Sequence, residues 1–294
     1  MTEFCHITPT EYLDLFAHNR SHHLSLAHLI EQDPVYANWY KNNAERNPDS
    51  VNIMDNSAFE MYKQGRDMYP AHKLLEMATK VDADYVVLSD YPSQESMHTI
   101  EAAYLLAPEI RRNGFGTFFV PQSEVGDLED LIFAFKWAAE SPLIDYVGVS
   151  ILAVPNAYGV ERGNKLQRFL SRWWFMNELN KRGVLKHLKA RGKKIHFLGM
   201  VDGPNEIALV KDYLWAIDTW DSSAAVWAGI NDIEFDQSPS GLVDGKYEVE
   251  VDFNHNTATL NQMAKAMKNC FYIDQLIESI QGFNAIEINL DPWR

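Results

Sequence analysis

"DYVVLSDYPSQESMHTIEAAYLLAPEIRRNGFGTFFVPQ", residues 84–122, carries the pattern that decides the fold. It opens on a short apolar run, "DYVVLSD" (84–90), and closes on another, "GTFFVPQ" (116–122). Between them, "TIEAAYLLAPEIRRNG" spaces its apolar residues by three and four, and its "RNG" reads as a helix end. A strand, a helix and a second strand in this order make a parallel βα unit. The same alternation runs outward in both directions. Strands are expected at "SVNIMD" (50–55), "DYVGVSI" (145–151), "KIHFLGM" (194–200) and "AIDTWD" (216–221), with "HHLSLAHLI" (22–30) ahead of them. Helices are expected at "AHKLLEMATKV", "LEDLIFAFKWAAES", "LQRFLSRWWFMNELNKRGVLKHLKARG" and "NEIALVKDYLWA". Six or seven such units, at steps of roughly 30 residues, favour a closed (β/α)8 TIM-type barrel over an open sheet. No glycine-rich phosphate loop follows the first of these strands, which removes the main sign of a nucleotide-binding open sheet.

The tail is less regular. "DIEFDQSPSGLVDGKYEVEVDF" (232–253) reads as a hairpin, and "TLNQMAKAMKNCFYIDQLIESI" as a helix. There is no internal repeat, low-complexity segment or clear linker, so one domain spanning residues 1–294 is expected. An apolar content of 46% suffices for a large core. No run approaches a membrane span, and "MTEFCHITPTEYLD" lacks the basic start and apolar core of a signal peptide, so a cytoplasmic location is expected, with no membrane partner. Cys5 and Cys270 are the only cysteines, too few for a disulfide framework or a thiolate zinc cluster.

Barrel active sites collect at the C-terminal ends of the strands. Those ends carry Asp55, Asp90, Gln122, Ser150, Gly199 and Asp221. A single strand-ending aspartate is most often a helix cap or turn residue. Three carboxylates and a carboxamide on one rim point instead to binding or catalysis. Taken alone, they fit a divalent metal site, a glycosidase-like carboxylate pair or polar recognition of a ligand. Gln122, with Phe59, Tyr91 and Trp220 near the same strand ends, suits a flat heterocycle that carries donors and acceptors on its edge.

The order of these motifs resembles the tRNA-guanine transglycosylase superfamily. "IMDNSAFE" is similar to that family's "DSGGFQ", "ADYVVLSDYP" to its "FDEC" strand and "FFVPQSE" to its "IVQG". "YVGVSILAV" resembles "IGGLAVGE", "IHFLGM" resembles "LYLMGVG", and "AIDTWDSSAA" resembles "IDMFDCVLP". The six elements cover about residues 50–225. There are departures: Ser57 and Ala58 replace a glycine pair, Ser222 replaces a cysteine, and Val149 replaces a glycine. The family's C-terminal zinc motif of three cysteines and a histidine is missing, which makes the chain more like the phage DNA-guanine transglycosylases.

The resemblance implies an exchange of guanine for a 7-deazaguanine, preQ0-like base in DNA, with tRNA as the alternative polymer and no cofactor or metal. If the chain is phage-encoded, the location becomes the host cytoplasm. Asp221 falls on the covalent nucleophile and Asp55 on the proton-handling acid and base. Asp90 and Gln122 fall on the base-reading residues, with Ser150, Leu198 and Gly199 completing the pocket. Two displacements at C1′ keep the sugar's configuration. A base inside a duplex must be flipped out to reach such a site.

The formal net charge of −15 opposes indiscriminate nucleic-acid binding. Residues 161–194 nevertheless hold eleven of the 26 lysines and arginines, among them Arg162, against only Glu161 and Glu178. Lys165, Arg168 and Arg172 are the expected phosphate contacts of this basic helical insertion. An ordinary solvated helix face is the plainer reading. Trp173 and Trp174 are expected in the core. Two rivals stand beside the transglycosylase reading: a metal-dependent barrel hydrolase, suggested by His18, His22, His23 and His28, and a non-catalytic nucleic-acid-binding relative.

Overall fold

In the computed structural model, which describes residues 1–161, 163–235 and 251–288, eight parallel strands form one sheet. They are β1 (Glu3–His6), β2 (His22–Leu26), β3 (Val51–Asp55), β4 (Tyr85–Val87), β5 (Gly116–Phe119), β6 (Tyr146–Ser150), β7 (Lys194–Leu198) and β8 (Thr219–Ser222). Each strand from β3 onward hydrogen-bonds its predecessor in the chain, and β8 returns to pair with β1. β1 and β2 pack side by side, so the two ends of the sheet meet in a nearly closed (β/α)8 barrel.

Contacts that skip a strand identify the interior. Tyr85 on β4 meets Tyr146 on β6 edge to face at 4.8 Å, and Phe118 on β5 meets His196 on β7 at 5.3 Å. Alternation then directs Phe197 and Trp220 outward, where their rings pack 4.7 Å apart beneath the helices. At the lower end of the barrel, the Lys194 ammonium lies over the Tyr85 and Tyr146 rings.

The helical layer follows from local signals. Asp33 caps α3 (Pro34–Arg46) by accepting from the Val35 and Tyr36 amides, with Pro34 at the first helical position. With it, the helices are α1 (Leu13–Phe16), α2 (Ala27–Gln32), α4 (Ala58–Gln64), α5 (Ala71–Lys80), α6 (Ser96–Arg112), α7 (Leu128–Glu140), α8 (Ala153–Ala157), α9 (Lys165–Lys181), α10 (Val184–Ala190), α11 (Pro204–Leu209) and α12 (Ala224–Ile230), and a long helix follows at Leu260–Ile288. The expected long helical segment over residues 166–192 is two helices, because Gly183 turns left-handed at φ 73° and starts α10 (Val184–Ala190). Both pack against neighbouring helices of the layer around the barrel.

Three sequence expectations change. The first strand, "EFCH", was not foreseen, because four residues are too few to display a period. "HHLSLAHLI" is a strand only to Leu26 and then turns into α2 (Ala27–Gln32). The expected hairpin at 232–253 falls largely outside the described residues. No helix among the described residues is long and apolar enough to cross a membrane.

The long helix Leu260–Ile288 closes the barrel against α12. Its approach depends on Gly229, where a Cβ would lie 2.2 Å from the Ala266 backbone. Gly229→Ala should therefore cost about 1–3 kcal/mol in urea unfolding, since backbone cannot yield as a side-chain tip does. A change below ~0.5 kcal/mol would contradict this docking.

Candidate active site at the C-terminal rim

All three rim carboxylates lie at the same end of the barrel. Asp55 ends β3, Asp221 lies in β8, and Asp90 follows β4 by three residues. Asp55 feels the charges of both Asp221 and Asp90, so the three share one electrostatic neighbourhood.

Asp221 is held from one side only. Its Oδ1 accepts from His196 Nε2 at 2.8 Å and from the Gly199 amide at 3.2 Å. A carboxylate only accepts, so His196 Nε2 carries a hydrogen, and the ring's Nδ1 faces Thr219 Oγ1 at 2.6 Å. Thr219, His196 and Asp221 thus form a chain inside the barrel. Oδ2 has no hydrogen-bond partner among the described residues. Sequence reasoning missed His196, because inward and outward positions are not separable in a strand buried on both faces.

Asp90 and Gln122 meet directly. Gln122 Nε2 donates to Asp90 Oδ2 at 2.5 Å, and Asn56 Nδ2 donates to Oδ1 at 2.8 Å. Burial pushes the Asp90 carboxyl up to about 6, although both amides favour its ionised form. Asn56, also missed from sequence, is itself fixed by the Leu88 carbonyl and the Ala58 amide. Asp55 is raised well above the usual carboxylate range, first by burial and then by Glu60, despite a hydrogen bond from the Ser57 amide at 2.8 Å.

Ser57 precedes the helix Ala58–Gln64 that follows β3. Its φ of 55° is left-handed, the conformation a glycine supplies freely. Here a serine adopts it, and its buried hydroxyl bridges the His28 amide and His28 Nδ1 at 3.1 and 2.8 Å. Burial keeps His28 down at about 4, hence neutral.

The other expected residues make local contacts within the protein. Ser150 Oγ accepts from the Leu152 and Ala153 amides, so it caps the following turn. The Leu198 side chain lies against Gly148, where a Cβ would come within 2.7 Å of it. Trp220 is fully buried outside the strands and donates to the Gly199 carbonyl, so it cannot stack on a ligand, whereas Phe59 is 43% exposed near the rim. Trp173 is partly buried against the core, and Trp174 meets Tyr158 edge to face.

Arg172 is not a phosphate contact: it is fully buried and paired with buried Glu206. Arg182 binds Glu129 and Glu178, Lys189 binds Asp218, and Arg191 binds Glu140. Lys193 is buried on the Ser141 and Ile144 carbonyls. Lys165 and Arg168 stand at the start of α9, half-buried and also engaged within the protein. The run's excess charge is therefore largely spent on internal partners, and Arg162 lies outside the described residues. The histidines of the metal reading diverge: His23 turns to Asn43, and His28 to Ser57. Among the described residues no group of three His, Cys, Asp or Glu side chains is arranged to hold a metal ion.

No family model matches the chain, and no curated protein does by sequence. Solved structures resemble it at low identity. A Coccidioides immitis protein assigned as a fructose-1,6-biphosphate aldolase matches at 10% identity and a TM-score of 0.48, over 94% of this chain and 90% of its own. RipC from Yersinia pestis matches at 11% and 0.44, over 85% and 97% respectively. Likenesses of this size say nothing of activity or substrate.

The position of Asp90 sets a pH dependence. An acid with a raised pKa is neutral below it, so Asp90 is ionised above about 6 and protonated below. Any ligand edge that donates to Asp90 needs the ionised form. With a donor-edged heterocycle such as 7-deazaguanine as the probe, binding should weaken toward tenfold per pH unit below that point, and Asp90→Asn should lose this limb. Calorimetric titrations at pH 5 and 7.5 check this; equal affinities in the wild type would contradict it.

Proposed function

We propose that the chain is a guanine transglycosylase, replacing guanine in DNA by a 7-deazaguanine base through a covalent ester on Asp221. The observation that carries this reading is the one-sided hold on Asp221. With Oδ1 fixed by His196 and Gly199, the carboxylate keeps its orientation while Oδ2 stays available as a nucleophile.

In the first displacement Oδ2 bonds to C1′, the glycosidic bond breaks, and its electron pair leaves with guanine. Asp55, which holds its proton unusually tightly, supplies that proton to the departing base. The incoming base then gives a proton back to Asp55 and attacks C1′ from the face guanine left. The C1′–O bond breaks, Asp221 is restored and the configuration is retained. Asp90 accepts from the base's donor edge, and Gln122 Oε1 or its amide meets the remaining edge atoms. One glycosidic bond replaces another, so no nucleotide hydrolysis is needed.

The internal pairing of the basic run favours a second reading of the substrate: a free guanine nucleoside, which requires no phosphate-binding surface. tRNA is the third candidate. Exchange of radiolabelled guanine into single-stranded DNA, tRNA and free deoxyguanosine, measured in parallel, separates the three. Incorporation by wild type should fall at least ~1,000-fold in Asp221→Ala and Asp221→Asn, whose folds should persist. Exchange retained by either variant would overturn the assignment of Asp221. Exchange with the nucleoside alone would replace the DNA reading.

A further inference from the structure

Arg172 spends every N–H donor of its guanidinium inside the protein. Nε and Nη2 grip the Glu206 carboxylate at 2.7 Å each. Nη1 donates to the Val149 and Leu198 carbonyls at 3.2 and 3.0 Å, and Nη2 also reaches the Gly199 carbonyl at 2.8 Å. The guanidinium carbon sits 4.8 Å from the Phe197 ring centre and 5.4 Å from that of Trp220. Burying such a pair carries a desolvation cost, which full hydrogen bonding offsets only when every donor is matched. A surface cation would have met none of this.

One of these contacts leads to the site. The Leu198 carbonyl and the Gly199 amide belong to the same planar peptide and point in opposite directions. Arg172 holds the carbonyl end at 3.0 Å, and the amide end donates to Asp221 Oδ1 at 3.2 Å. Gly199 is left-handed at φ 70°, and a side chain there would press on Ile151 at 3.1 Å. Glycine permits the turn but does not hold it, because its backbone is the least restricted. With the Leu198 and Gly199 carbonyls both clamped by one guanidinium, the peptide cannot rotate its amide away. The positive charge on the carbonyl also polarises the peptide and strengthens the amide as a donor.

Resting on the reading of Asp221 as the reacting carboxylate, we infer that Arg172 is a positioning residue that holds Asp221 in its attacking orientation through the Leu198–Gly199 peptide. It touches neither base nor sugar. Lysine cannot replace it, since a single ammonium lacks the planar fork that spans a carboxylate and three carbonyls.

The test uses Arg172→Lys in the full chain, alongside Arg172→Gln/Glu206→Gln, which removes both buried charges together and guards against a fold lost to an unpaired glutamate. In each, kcat for exchange should fall roughly 100-fold, the scale of a misplaced reacting group, while KM for the incoming base stays within about threefold. Hydrogen exchange of the Gly199 amide should be slow in the wild type and at least ~10-fold faster in both variants and in Asp221→Ala. Unchanged kcat with an unchanged Gly199 amide overturns the inference, as does an equal rise in KM and fall in kcat from general loosening. If wild type exchanges no guanine on any substrate, the transglycosylase reading fails, yet the Gly199 amide still decides whether Arg172 holds Asp221.

Discussion

The hold on Asp221 Oδ1 by His196 and the Gly199 amide is the interaction around which the rest of the rim is arranged. A carboxylate at a strand end has two freedoms, rotation of its side chain and movement of the loop beyond. His196 restricts the first from within the barrel, backed by Thr219, and Gly199 restricts it from the neighbouring strand end. Both donors belong to β7 or its edge, and β7 pairs with β8 in register at His196 with Thr219 and Phe197 with Trp220. Strand pairing, interior packing and a buried arginine therefore converge on one oxygen. The other oxygen has no hydrogen-bond partner among the described residues.

Polar pairing elsewhere on the rim follows the same logic. Asp90 is buried, and a buried carboxylate without partners would be neutral or would destabilise the fold. Asn56 and Gln122 supply the partners, and both come from neighbouring strand ends. Asp55 is raised first by burial and then by its negative neighbours, with only the Ser57 amide opposing them, which is why it holds its proton more tightly. Asp55 and Asp90, on one rim, thus differ in the partners that hold their carboxyl groups.

The barrel was legible in the sequence because parallel strands carry continuous apolar runs, and the rim of such a barrel lies where the strands end. Asp55, Asp90, Gln122 and Asp221 could be located by that rule alone. What could not be read was the partner of each group. His196 lay in a run whose inward and outward positions are not separable when a strand is buried on both faces. Arg172 was misread for a related reason: a basic residue among ten others suggests a surface, and only three-dimensional neighbours reveal that Glu206 lies behind it. The left-handed turn at Ser57 was not legible either, because a serine seldom adopts that conformation. The charge of residues 161–194 was counted correctly and interpreted too generously, because its counter-charges on Glu129, Glu140, Glu206 and Asp218 lie far away or later in the chain.

The central claim is that Asp221, and no other rim carboxylate, bonds to the sugar. The most direct measurement is to trap the protein on a guanine-containing substrate, digest it, and locate the retained pentose by tandem mass spectrometry. The account predicts a single modified peptide with the sugar on Asp221. A pentose on Asp55 or Asp90 would contradict it.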